Sequence, residues 1–319
     1  MEIASVRNAP KSLTIICTIY RGALTTQRLV DVLVETLSAL PYSYEIILVD
    51  DHSPDHSWEI IQKIGSQFPF VKGLKLSRNF GQQVAMSAGM HFAEGEYVVI
   101  MDGDLQNPPS AIPLLIEKLK EGNDIVYTVS NKRNNFTDAL SSKIFWYIIT
   151  TIFKINIVKN QLMMKAMTQD FVKKFKLYGE ANRTVAAIIN DIGMRSAIIP
   201  IENQKRYAGK SNYTFFKRFN LMVEVVISLS TAPLNFMIYM GLIIFLFTVI
   251  ASVYYLIKYL TDDIVAGFTS IMLALFFFGS IIILMLGFIG RYLANIYSEV
   301  RQRPLYSVQE KCNFDMNNK

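Results

Sequence analysis

The sequence predicts an α/β fold carrying a C-terminal pair of membrane-spanning helices, and three observations predict it. Short, continuously apolar runs alternate with amphipathic stretches from Leu13 to Val129. Two acidic clusters, Asp50-Asp51 and Asp102-Gly103-Asp104, each close one of those runs. Two long uncharged stretches, Val225–Ile257 and Ile264–Gly290, occupy the last third of the chain.

Taken in order, Leu13–Ile19, Glu45–Val49, Val71–Leu76, Tyr97–Met101 and Asp124–Val129 read as strands. Between them Thr25–Leu40, Ser57–Phe68, Gln82–Ala93 and Pro109–Glu121 carry helical spacing. Strands that are apolar throughout and separated by helices imply a largely parallel sheet covered on both faces. Ligands of such sheets gather at the carboxyl ends of the strands, which is where both acidic clusters fall. Arg7 and Lys11 ahead of Leu13–Ile19 give a superficial likeness to a secretion signal. The run is short and leads into Tyr20-Arg21-Gly22 without a small-residue cleavage site, so it reads as a buried strand.

Composition agrees with a soluble part joined to a membrane part. The 319 residues are 51% hydrophobic and 18% charged, with a mean hydropathy of +0.28. The net charge of +6 suits an anionic partner, or the positive flanks of membrane segments. No nucleic-acid recognition module is present to use it. Cys17 and Cys312 offer neither metal spacing nor a disulfide framework, and His52, His56 and His91 form no ligand set.

Two stretches interleave basic and aromatic residues, Asp138–Phe153 and Thr214–Ser230; the second, with Lys217 and Arg218 among Phe215, Phe216 and Phe219, suits the plane of a membrane interface. Pro233 then divides it from a span beginning near Leu234. Leu234–Ile257 would make about 36 Å of helix, enough to cross a bilayer core of about 30 Å. The connection to the second span holds Lys258, Asp262 and Asp263, whereas Lys210, Lys217, Arg218, Arg291, Arg301, Arg303 and Lys311 flank the other side. The positive-inside rule therefore places the α/β part and the C-terminus in the cytoplasm, at the inner membrane. The expected organisation is a catalytic domain over 1–212, an interfacial helix over 213–232, two spans within 233–291 (about 234–257 and 266–290) and a tail over 292–319. The tail after Ser307 is polar and reads as disordered.

Chemistry concentrates at Asp102-Gly103-Asp104, which follows the apolar run and precedes Leu105-Gln106-Asn107-Pro108-Pro109. Two carboxylates one residue apart can hold a hard divalent cation that also grips a diphosphate, and the intervening glycine would let a ligand approach the backbone. With Glu45 through Asp55, Leu76-Ser77-Arg78-Asn79-Phe80-Gly81-Gln82, Arg206-Tyr207-Ala208-Gly209-Lys210-Ser211-Asn212-Tyr213 and Gly290 through Pro304, the sequence resembles glycosyltransferase family 2. Within that family it is similar to the polyprenyl-phosphate sugar transferases, nearest to the undecaprenyl-phosphate aminoarabinose type.

The resemblance implies a GT-A fold and an inverting transfer from a nucleotide-sugar, a UDP-sugar foremost, to polyprenyl phosphate at the bilayer, by a homotetramer. It implies that Asp51 contacts the base or ribose, with Thr18, Tyr20, Asp50, Ser53, Asp102 and Gly103 around the nucleotide-sugar. Asp102, Asp104 and Gln106 would hold Mg2+ or Mn2+. Asp104, Arg133 and Arg206 would act at the reacting phosphates, and Arg206, Lys210 and Ser211 would receive the acceptor phosphate. Guanidinium suits this task because it pairs bidentately with phosphate oxygens. By residue type alone, Asp50 and Asp51 could equally cap the next helix.

Two departures from the family stand out. Its first strand usually ends Pro-x-Tyr-Asn-Glu, where this chain has Thr18-Ile19-Tyr20-Arg21-Gly22. An acid expected near Val158–Met163 is absent, with no Asp or Glu between Asp138 and Asp170. A sugar hydroxyl acceptor would need a general base there; a lipid phosphate is already an oxyanion. The missing acid thus favours a phosphate acceptor or an altered donor. A transferase onto a glycolipid sugar, a processive synthase and a catalytically degenerate scaffold are the alternatives. Gln204-Lys205-Arg206-Tyr207 does not match the Gln-x-x-Arg-Trp of processive relatives.

Overall fold

The computed structural model describes residues 13–130, 158, 161–179, 185–202, 232–261 and 267–314. It divides into two compact units, one of residues 1–139, 157–212 and 304–319, the other of residues 140–156 and 213–303.

In the first unit the chain runs β1 (Leu13–Ile19), α1 (Thr26–Ser38), β2 (Tyr44–Asp50), α2 (Ser57–Gln67), β3 (Val71–Leu76), α3 (Gln82–Phe92) and β4 (Tyr97–Asp102). A single 3-10 turn, Pro109–Ala111, leads into α4 (Ile112–Lys120) and β5 (Ile125–Ser130). Then come β6 (Gln161–Thr168), α5 (Gln169–Lys176), α6 (Val185–Ile192) and β7 (Ser196–Ile201), and the unit is completed by β8 (Val308–Cys312). The strands form one sheet in the order β7-β5-β6-β4-β1-β2-β3-β8. Its centre, β4-β1-β2-β3, is parallel, as the apolar runs predict. The sheet as a whole is mixed, because β6 is antiparallel to β4 and β5, and β8 to β3.

Both faces are covered. Leu29, Leu33 and Leu37 of α1, Ile61 and Ile64 of α2, and Leu115 of α4 pack on Ile15, Cys17, Leu48 and Met101. On the other face Ala85, Met86 and Ala88 of α3, Phe171 and Phe175 of α5, and Ile188 of α6 pack on Ile16, Ile47, Val98 and Ile100. The alternation of neighbours between the two layers follows the period-2 geometry of strands. Helix α3 lies close to the sheet because of Gly89, where a Cβ would stand 2.3 Å from Ile16 Cγ2.

The tail departs from expectation. Val308–Cys312 is a strand, not a disordered segment, and it covers the exposed edge of β3. Trp58 Nε1 donates to Glu310 Oε2 at 2.9 Å, and Lys75 Nζ lies 3.1 Å from Glu310 Oε1. Asn313 Nδ2 donates to the carbonyls of Gly65 and Val71 at 2.7 and 2.8 Å. Paired edges resist association with other chains.

The second unit contributes α7 (Ala232–Thr261) and α8 (Phe268–Val300). Large apolar side chains point outward along both, including Phe236, Leu242, Leu246 and Ile250 of α7 and Leu275, Ile283 and Leu286 of α8. Among the described residues, Phe277–Val300, 24 residues within α8 that include an 18-residue stretch of mean hydropathy 1.9, is long and apolar enough to cross a membrane. The apolar stretch of α7, Phe236–Ala251, is shorter. The expected interfacial helix falls on residues outside those described, apart from Ala232, which opens α7.

Candidate functional site

The parallel register brings the carboxyl ends of β1, β2 and β4 to one level. Thr18 pairs with Asp102 across β1 and β4, and Ile19 with Asp50 across β1 and β2. Asp51 N–H continues the ladder to Ile19 O at 3.0 Å, and Gly103 N–H to Thr18 O at 3.2 Å. Both acidic clusters therefore flank the end of β1. The space a Cβ would fill at Gly103 is taken by Ile19 Cδ1 at 2.5 Å and Thr18 O at 2.9 Å. The packing of β1 thus leaves no room for a side chain at this position.

The two neighbouring carboxylates of β2 do different work. Asp51 is nearly buried, and its two oxygens accept the N–H groups of Phe80 at 2.7 Å and Gly81 at 2.8 Å, fixing the loop into α3. Asp50 is fully buried; Oδ1 accepts Ser53 N–H at 3.2 Å, while Oδ2 has no partner among the described residues. Burial raises both carboxyls above their usual range, outweighing the hydrogen bonds that lower them. An unsatisfied buried oxygen is expensive, and the loop around it is held rigidly. Arg21 N–H donates to Ser53 Oγ at 3.1 Å, Gly22 N–H to Ser57 Oγ at 2.9 Å, and Ala23 N–H to Asp55 Oδ2 at 3.1 Å. Arg21 adopts a positive φ of 55°, and its guanidinium lies 5.5 Å over the half-exposed Tyr20 ring.

At β4, Asp102 Oδ1 accepts from Gln82 Nε2 at the start of α3, and Asp104 Oδ1 accepts Gln106 N–H at 3.1 Å. Asp102, Asp104 and Gln106 are all partly exposed. The described residues contain no group of three or more His, Cys, Asp or Glu side chains that could hold a metal ion. Two carboxylates leave most positions of a hard cation open. The set fits an ion that arrives with a diphosphate and does not fit a preformed cage.

Gln82 and Lys165 are the two residues at this end of the sheet that sequence reasoning passed over. Lys165, on β6, is 3% exposed, and burial pushes its ammonium down to about 8 against the opposing field of Asp102. Its signal was a lone lysine in the apolar stretch Leu162–Met167. Arg133, Arg206, Lys210 and Ser211 lie outside the described residues.

The sequence profile of glycosyl transferase family 2 matches residues 14–178, over half the chain. The chain belongs to glycosyl transferase family 2. An uncharacterized glycosyltransferase of Synechocystis sp. is 32% identical over 301 residues, which is 93% of this chain and 95% of that one. The SfII prophage-derived bactoprenol glucosyl transferase of Shigella flexneri is 30% identical over 275 residues, 85% of this chain and 88% of its own length. Among solved structures, glucosyl-3-phosphoglycerate synthase from Mycobacterium tuberculosis, in complex with Mn2+ and uridine-diphosphate-glucose, gives a TM-score of 0.48 at 14% identity, covering 69% of this chain and 78% of that one. A likeness of that degree matches an outline and assigns no site. The family match reaches from β1 into Tyr178 and so spans both acidic clusters.

Proposed function

We propose that this family 2 member transfers a sugar from a UDP-sugar to undecaprenyl phosphate, or a like polyprenyl phosphate, at the cytoplasmic face of the membrane. The observation that carries this reading is the convergence of Asp50, Asp51, Asp102 and Asp104 at one end of the sheet. It occurs in a chain similar along most of its length to a bactoprenol glucosyl transferase. The outward apolar surfaces of α7 and α8 support two membrane spans, since exposed apolar area of that extent calls for a non-aqueous environment.

In this reading Asp50, buried and one partner short, receives donor groups of the base or ribose, and Asp51 holds the α3 loop beside it. Asp102 and Asp104, with Gln106, would hold Mg2+ or Mn2+. When bound, such an ion supplies positive charge to the leaving diphosphate, where charge develops. Gln82 fixes the Asp102 carboxylate in advance. The acceptor phosphate needs orientation and screening, not deprotonation, which accords with the lack of an acid from residue 139 to 169. Arg133 and Arg206 are assigned to the reacting phosphates, and Lys210 and Ser211 to the acceptor.

Arg206 tests the acceptor assignment. Arg206→Lys keeps the charge and loses the bidentate fork, so transfer should fall about tenfold or more, and further in Arg206→Ala, with UDP binding nearly unchanged. An Arg206→Lys variant as active as the parent would refute the phosphate clamp. Loss of UDP binding in Arg206→Ala would move this arginine to the donor.

A further inference from the structure

Lys165 stands in β6 opposite Ile100 of β4 and Tyr127 of β5. Both neighbours belong to the layer beneath α3, α5 and α6, so the lysine faces that layer. Asp102 lies two residues beyond Ile100 and therefore on the same face of the sheet, as does Thr18, its partner on β1. A lysine side chain reaches about 6 Å, close to the rise of two strand residues. It can thus bring its ammonium to the level of the Asp102 carboxylate and the start of α3.

Lys165 is buried as a residue, yet among the described residues its ammonium has neither a hydrogen-bond acceptor nor a carboxylate at ion-pair distance. A desolvated cation without a partner is costly unless something else supplies the anion. Elsewhere in the same unit the chain does supply one: buried Lys72 sits 2.9 Å from Glu45 Oε2. Asp102 is engaged by Gln82. The missing partner of Lys165 is therefore assigned to a ligand that enters at the end of β4.

We propose that Lys165 is a phosphate-positioning residue of the transfer reaction, its ammonium meeting a phosphoryl oxygen held beside Asp102. The proposal rests on the transferase reading above. A phosphoryl oxygen at that point comes either from the donor diphosphate or from the acceptor phosphate, and both offer the same charge-assisted contact.

The test uses the purified full chain in detergent, with Lys165→Met and Lys165→Arg. Uridine and UDP are titrated in the presence of Mn2+, and KM for undecaprenyl phosphate is measured with the UDP-sugar that the parent turns over. If the donor supplies the oxygen, Lys165→Met weakens UDP roughly tenfold to a hundredfold and leaves uridine within about twofold. If the acceptor supplies it, UDP binding holds and KM for undecaprenyl phosphate rises by a similar factor. In either case Lys165→Arg recovers most of the loss, and Lys165→Met melts no lower than the parent, since it removes a desolvated charge. Parent-like UDP binding and parent-like KM in Lys165→Met would overturn the proposal. So would equal loss of uridine and UDP with a lower melting temperature, which marks a packing role. A parent protein that binds no UDP and transfers no sugar overturns the transferase reading, and this inference with it.

Discussion

Replacing Lys72 by methionine removes the cation that faces a buried carboxylate near the amino ends of β1, β2 and β3. Lys72 Nζ lies 2.9 Å from Glu45 Oε2, and the Glu45 side chain is 1% exposed. Thr14 Oγ1 donates to Glu45 Oε1 at 2.7 Å, Glu94 N–H reaches the same oxygen at 3.3 Å, and Gly95 N–H donates to Thr14 Oγ1 at 2.9 Å. The network ties three strands to the turn that leads into β4. Methionine nearly matches the lysine stem in volume, so the packing change is small. The dominant effect is an uncompensated buried carboxylate, which costs about 3–5 kcal/mol. Glu94, 4.0 Å from the ammonium and half exposed, adds little. Urea unfolding in mild detergent, followed by Trp58 fluorescence in a Trp146→Phe background, measures the loss. A second substitution, Glu45→Gln in the Lys72→Met background, removes the stranded charge and keeps an acceptor for Thr14, so at least half the loss should return. UDP affinity of the folded Lys72→Met protein should stay within about twofold, because the network lies at the end of the strands opposite Asp50 and Asp102. A loss under about 1 kcal/mol, or no recovery in the double variant, would refute the reasoning.

Other consequences are more local. Asp104→Ala should lower transfer at least about a hundredfold with an unchanged melting temperature, and EDTA should do the same to the parent; full activity of Asp104→Ala in chelator would remove the metal from the account. Asp50→Asn should weaken UDP about tenfold while melting at or above the parent near pH 7. Burial raises the folded-state pKa of Asp50 above its unfolded value, so its carboxylate destabilises once the pH exceeds the folded value and costs nothing below the unfolded value of about 3.9. The gap in melting temperature between the two proteins should therefore close on acidification towards that value, and a gap independent of pH would contradict it. In a background lacking Cys17 and Cys312, a cysteine at Asp263 should label from outside intact cells and one at Asn317 should not; outside labelling of the latter overturns the two-span topology.

How much the sequence revealed depended on how local the signal was. The strands from β1 to β5 lie within a residue or so of their predicted places, since each is a continuous apolar run bounded by turn residues. Strand β6 was not read because a lysine interrupts its apolar pattern, and that lysine makes sense only beside Asp102. Strand β7 is an edge strand that exposes alternate residues and contains Pro200. Strand β8, Val-Gln-Glu-Lys-Cys, is polar; its pairing rests on Trp58 and Lys75, over 230 residues away in sequence. At the site, placement of the acids at strand ends was legible from pattern alone. The division of labour between Asp50 and Asp51 was not, because the N–H groups that occupy Asp51 come from Phe80 and Gly81, some 30 residues on. The packing constraint at Gly103 was likewise hidden, since it comes from Ile19 on a neighbouring strand.

The central claim is that sugar passes from a nucleotide to a lipid phosphate. Incubating the purified protein with undecaprenyl phosphate, Mn2+ and a panel of UDP-sugars, then weighing the extracted lipid by mass spectrometry, addresses it directly. The account predicts one glycosyl residue added per undecaprenyl phosphate, from one or a few donors, with UDP released in equal amount and no product from undecaprenol. Tight binding of UDP with unmodified lipid across the whole panel, or transfer only to a saccharide acceptor, would contradict it.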